Sequence, residues 1–124
     1  MEGLTLDTGA LVALERNDRR AVLLIESAMR DGRPVVVPVA VVIEWWRGQR
    51  RPAAGVLDGI IVEPLFEPLA RIAGRALGRV RGPSAVDAVV MASAAQRGDR
   101  VLTSDVRDLE RLRAVFPGVR VLRV

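Results

Sequence analysis

Three valines held between two prolines, Pro34-Val35-Val36-Val37-Pro38, set the tightest limit on what this chain can fold into. A run so short and so β-branched reads as a strand buried on both faces, because a half-exposed strand would alternate with polar residues. Further strand candidates are Gly3–Leu6, Ile60–Val62, Asp99–Thr103 and the alternating Val119–Val124. Between them the apolar spacing is helical: Ala10, Leu11 and Leu14 up to about Asn17, then Val22, Ile25 and Met29 behind an Asp18 cap. A helix from about Val39 follows, and from Glu67 the residues Leu69, Ile72, Ala73, Ala76, Leu77 and Val80 share one face. Ala53–Asp58 has room for a turn or two of helix, and a last helix is expected from Ser104-Asp105 through Leu109, Leu112 and Phe116. Strands separated by helices imply a parallel sheet covered on both sides. With 124 residues and no repeat, linker or low-complexity tract, residues 1–124 are expected to form one α/β domain.

The most distinctive helix is Ser84–Arg97, opened by Gly82-Pro83 and closed by Gly98. Its alanines (Ala85, Ala88, Ala92, Ala95) let neighbours approach closely, as a central helix requires. Asp87 is its one charge before Arg97. A carboxylate in an apolar helix is costly unless it is paired or holds a cation. Ser84-Ala-Val-Asp87 also fits a capping box, which would account for the acid without any chemistry.

Missing residue types narrow the chemistry. The chain has no His, Cys, Tyr or Lys, and all nineteen basic residues are Arg. Ser-His-Asp catalysis, an ordinary zinc site, a P-loop and a Schiff base are thereby excluded. Carboxylates with a hard, oxygen-preferring cation remain. The net charge of +4 favours a polyanionic partner moderately. No run approaches the ~20 apolar residues of a membrane span. The N-terminus lacks a basic segment of the secretory kind, so a cytoplasmic protein without membrane association is expected.

Ligands of an open parallel sheet bind beyond the carboxyl ends of its strands. Asp7 follows the first strand candidate and Asp105 the fourth, so both reach that rim, although each also fits a helix cap. Asp108 stands three residues after Asp105 and fits the same capping pattern. Glu44 lies mid-helix in Val-Ala-Val-Val-Ile-Glu-Trp-Trp, where capping is no explanation and an exposed polar position is the alternative. Gathered together, Asp7, Glu44, Asp87 and Asp105 would repel one another unless a cation neutralised them. Mg²⁺ or Mn²⁺ suits such an all-oxygen site, as one ion or two, and supports hydrolysis of a phosphodiester by activated water.

The segments Leu6-Asp7-Thr8, Val-Val-Ile-Glu44, Ser-Ala-Val-Asp87-Ala-Val-Val-Met-Ala and Leu-Thr103-Ser104-Asp105-Val-Arg-Asp108-Leu resemble, in order and spacing, a PIN domain, within it the small bacterial VapC toxins. The resemblance covers essentially the whole chain. It implies a PIN-like three-layer α/β/α sandwich around a mostly parallel sheet of four to five strands. It also implies a Mg²⁺- or Mn²⁺-dependent endoribonuclease, neutralised by a VapB-type antitoxin and usually a homodimer. The family's four acids fall on Asp7, Glu44, Asp87 and Asp105, as metal ligands and catalytic groups. Thr103 matches an auxiliary hydroxyl and Asp108 a frequent extra acid. The Asn or Ser often found after the first Asp-Thr is Gly9 here.

Arg47, Arg50 and Arg51 follow the Glu44 helix and could track RNA phosphates. Arg71, Arg75 and Arg79 form a second row, read first as solvated surface. Gly74 and Gly78 weaken that helix unless something packs closely against them. Trp45 and Trp46 point in different directions on a helix, so one is expected in the core and one partly exposed. An RNA-processing nuclease of the same fold acting without an antitoxin, and a non-catalytic RNA-binding module, are the competing readings.

Overall fold

The valine run forms a buried strand, and its neighbours extend it into a five-stranded sheet with every strand parallel. The computed structural model describes residues 2–47 and 55–124. In chain order the elements are β1 (Leu4–Leu6), α1 (Thr8–Glu15), α2 (Arg19–Arg30), β2 (Val35–Pro38), α3 (Val39–Arg47), β3 (Ile61–Glu63), α4 (Glu67–Arg79), α5 (Ala85–Arg97), β4 (Arg100–Thr103), α6 (Arg107–Leu112) and β5 (Val121–Arg123). The sheet order is β3-β2-β1-β4-β5, so the first strand is the middle one. Thr5 stands beside Val36 on one side and Val101 on the other. Chain order reverses on either side of β1, which puts the ligand-binding crevice at its carboxyl end, where Asp7 is found.

Helix α5 is the hub of the three-layer α/β/α sandwich, packing on β1, β2 and β4 and on α3, α4 and α6. Seven successive residues, Ala88 to Ala94, are buried, which small side chains permit. Gly98 ends the helix at φ 74°, a left-handed conformation that glycine adopts without a Cβ penalty. Leu4, Leu6, Leu11, Met91, Leu102 and Leu112 are fully enclosed around it.

Some boundaries and faces differ from the periodicity. The buried face of α2 is Ala21, Ile25 and Ala28, with Met29 exposed, because small residues let the helix lie close to β2. Ile72 of α4 is likewise exposed, the packing falling to Leu69, Ala73 and Ala76. Helix α6 stops at Leu112, and Phe116 reaches the core from a turn. Residues 55–59 form turns, while Ala53 and Ala54 lie outside the described residues.

One polar network is buried beneath α5. Asp99, 3% exposed, accepts hydrogen bonds from the Gly3 amide (3.0 Å), Thr5 Oγ1 (3.0 Å) and Arg97 Nε (2.9 Å). Arg97 also donates to Thr5 Oγ1 at 2.8 Å and pairs with Glu63, which accepts from Ser93 Oγ at 2.6 Å. The guanidinium thus joins β1, β3, α5 and the start of β4 through its planar fork.

Candidate active site

Asp7 ends β1 and occupies the N-cap of α1, yet its side chain makes no capping bond. Its Oδ2 instead accepts from Thr103 Oγ1 at 3.0 Å, across the sheet at the end of β4. The next residue, Thr8, donates its hydroxyl to Glu44 Oε1 at 2.7 Å. Two adjacent residues therefore tie the carboxyl end of β1 to β4 and to α3. Thr8 is the positioning residue that sequence reasoning missed, since nothing in a local pattern pairs it with an acid thirty-six positions away.

Asp87 satisfies both of its sequence readings. Its Oδ2 accepts from the Ser84 amide at 2.8 Å and its own amide donates to Ser84 Oγ at 3.1 Å, a complete capping box. Its charge nevertheless acts on Asp7, and those of Glu44 and Asp108 act on it. Burial pushes the Asp7 carboxyl up to about 6; the Thr8 amide and Thr103 hydroxyl oppose the rise, and the charges of Asp87 and Glu44 add to it. Asp87 is also raised, first by partial burial against the Ser84 hydrogen bonds, then by Asp108 and Glu44.

The structure thus brings Asp7, Glu44 and Asp87 within electrostatic reach of one another, with Asp108 acting on Asp87. Asp105 is exposed, its Oδ1 accepting from the Arg107 amide at 3.2 Å, and its carboxylate is not among the charges that act on Asp7 or Asp87. Its backbone is fixed by Thr103, whose hydroxyl donates to Asp7 and accepts from the Asp105 amide at 3.1 Å. The expected Asp105–Asp108 cap does not form, because α6 begins one residue later with Val106 at its N-cap. That shift frees the Asp108 carboxylate to face Asp87.

Among the described residues, Asp7, Glu44, Asp87 and Asp105 have no arginine partner, in contrast to Asp99. Only Asp108 has one nearby, Arg111 Nη1 at 3.9 Å. No three acids among the described residues converge into a ready cation cage; they share a rim. An all-carboxylate donor set with hydroxyl support and no internal cation fits a hard divalent ion that keeps some of its water.

Gly9 sits against the β4 end so closely that a Cβ would lie 2.2 Å from Ser104 Oγ and 2.7 Å from the Ser104 amide nitrogen. The contact accounts for glycine at this position. Gly9→Ser is expected to destabilise the protein by about 1–3 kcal/mol through overpacking, read from the urea midpoint.

Trp45 is the core tryptophan, 3% exposed, with Nε1 donating to Glu15; Trp46 is 50% exposed. Arg47 is exposed at the end of α3, whereas Arg50 and Arg51 lie outside the described residues.

A PIN domain family model matches residues 4–115, and the chain belongs to that family. Its fold is shared with VapBC2 from Rickettsia felis bound to a DNA fragment from their promoter (TM-score 0.78, 11% identity, 98% of each chain covered). It is also similar to DNA-bound VapBC from Salmonella typhimurium (TM-score 0.72, 22% identity, 99% of this chain and 98% of that one). A third similar structure is Mycobacterium tuberculosis VapC20, a sarcin-ricin loop cleaving toxin (TM-score 0.65, 22% identity, 95% and 99% covered). Comparison with curated protein sequences finds no match.

Proposed function

We propose that this chain is a Mg²⁺- or Mn²⁺-dependent endoribonuclease, the toxin of a pair held in check by a VapB-like antitoxin, acting in the cytoplasm as a homodimer. The observation that carries the reading is Asp7: a buried carboxylate at the sheet's switch point, facing two further acids and no cation of its own. The PIN family membership and the toxin–antitoxin proteins that share the fold support it. Ile43 and Trp46 on α3, 70% and 50% exposed, give the apolar surface that protein partners cover. Among the described residues no helix is long and apolar enough to cross a membrane.

Asp7, Glu44, Asp87 and Asp105 would hold the ion or ions. When bound, the cation supplies positive charge for the phosphoryl oxygens and makes water at the site more acidic. The chain's own groups do the positioning. Thr103 fixes Asp7, Thr8 fixes Glu44, and the Ser84 cap fixes Asp87. Glu44 is held through one oxygen, Oε1, which leaves the other to accept a proton or orient water. Burial around Asp7 strengthens its attraction for a cation.

Asp87→Asn is the decisive substitution, because asparagine keeps an acceptor oxygen for the Ser84 amide and therefore keeps the α5 cap. The expected result is an unchanged melting temperature with cleavage lowered at least ~10²-fold. Products should carry 5′-phosphates, since water is the nucleophile. A 2′,3′-cyclic phosphate end would reject the hydrolytic reading, and a variant that unfolds while its soluble fraction cuts normally would leave Asp87 a cap only.

A further inference from the structure

The outward face of α4 carries two features that the fold does not use. The first is its arginine row. Arg71 pairs with Glu67 at 2.6 Å, but Arg75 and Arg79 have no carboxylate partner among the described residues. Arg71, Arg75 and Arg79 follow one another at a spacing of four, so like charges are stacked along the helix, an arrangement that is destabilising in isolation. The second is Gly74 and Gly78. Neither has a positive φ, and a Cβ built on either would meet nothing within 4 Å. Neither backbone conformation nor packing within the chain calls for glycine there, while each weakens the helix by about 1 kcal/mol relative to alanine.

The arginine row borders a groove; Gly74 and Gly78 do not line it. The groove, of ≈ 220 Å³ between α4 and the turn after α6, is lined by Ile72, Arg75, Arg79 and Val115. Beyond Arg79 the chain passes Arg81, whose carbonyl accepts from Arg111 Nη1 at 3.1 Å. The same guanidinium nitrogen lies 3.9 Å from Asp108, next to Asp87 at the acid rim. The basic face is therefore continuous with the candidate active site. A second copy of the chain would set one arginine row against another; a polyanion relieves the repulsion.

We propose that the α4–α6 groove is the track on which the phosphate backbone of substrate RNA is held as it leads to the acid rim, with Arg75 and Arg79 contacting phosphates. The inference rests on the ribonuclease reading and names where its substrate lies outside the acids.

The test uses the full chain in EDTA, a fluorescently labelled single-stranded RNA long enough to reach α4, and anisotropy over a range of salt. Arg75→Gln/Arg79→Gln is expected to weaken binding about tenfold and to flatten the log–log salt slope by about 1.4, roughly 0.7 per lost phosphate contact. A control pair on α2, Arg19→Gln/Arg30→Gln, is expected to change binding less than twofold. Equal losses from both arginine pairs, or undiminished binding by the α4 variant, would overturn the track, and so would an acidic polypeptide that displaces RNA at equal charge concentration. Mn²⁺-dependent cleavage of a dinucleotide too short to reach α4 should be the same in wild type and the α4 variant. If the wild type fails to cut either substrate, the nuclease reading falls by itself, while the binding comparison still decides the track.

Discussion

Asp7→Asn is expected to stabilise the ion-free protein by about 2–3 kcal/mol at neutral pH while lowering RNA cleavage by at least ~10²-fold. The sign follows from linkage. The Asp7 carboxyl titrates at about 6 in the folded chain against 3.8 as its ordinary value. Below 3.8 the carboxyl is protonated in both states and contributes nothing to the difference. As pH rises from about 4 to 6, the unfolded chain ionises first, and folding stability falls; above 6 the penalty is constant. Asparagine removes the charge and keeps an acceptor for Thr103. Urea titrations at pH 4 and pH 7 should therefore show the gain only at the higher pH. Mn²⁺ should restore the wild type, by about 2.7 kcal/mol at a hundred times its dissociation constant, and should leave the variant unchanged. A variant no more stable than wild type at pH 7 would mean that Asp7 has a cationic partner in solution.

Arg97→Ala is expected to cost about 3–5 kcal/mol, because it strands Asp99 in the interior and removes the partner of Glu63. Arg97→Lys should recover only part of the loss, since an ammonium cannot span Asp99, Thr5 and Glu63 from one planar head. Cleavage per folded molecule should stay at the wild-type level, as the network lies away from the acid rim. A midpoint shift below ~1 kcal/mol would show that the network contributes no more than an exposed ion pair.

The strands and the hub helix were legible because their signals are local. Three valines between prolines can hardly be anything but a buried strand, and Ser84 with Asp87 and Gly98 brackets α5 almost to the residue. Asp7 and Asp105 could be assigned to one rim because the carboxyl end of a parallel strand is fixed by the strand itself. What the sequence does not contain is the helix phase set by tertiary packing. Ile72 and Met29 look like core residues, yet they are exposed because alanines beside them allow closer approach. The same limit hid Thr8, Arg97 and the turn of α6 that swings Asp108 towards Asp87. Each has at least one partner some twenty to a hundred positions away. The solvated-surface reading of the α4 arginines could be questioned only once Arg75 and Arg79 were seen to line a groove with no carboxylate partner among the described residues.

Because β1 is the middle strand, a nascent chain leaving the ribosome cannot complete it early. Leu4–Leu6 finds β2 after some thirty residues, but its other neighbour, Arg100–Leu102, follows only after almost a hundred. Asp7 likewise waits eighty residues for Asp87. Such long-range closure slows folding and favours late, all-at-once assembly. A chain translated only as far as α4 therefore holds scattered acids, and the rim forms only once α5 and β4 have been made.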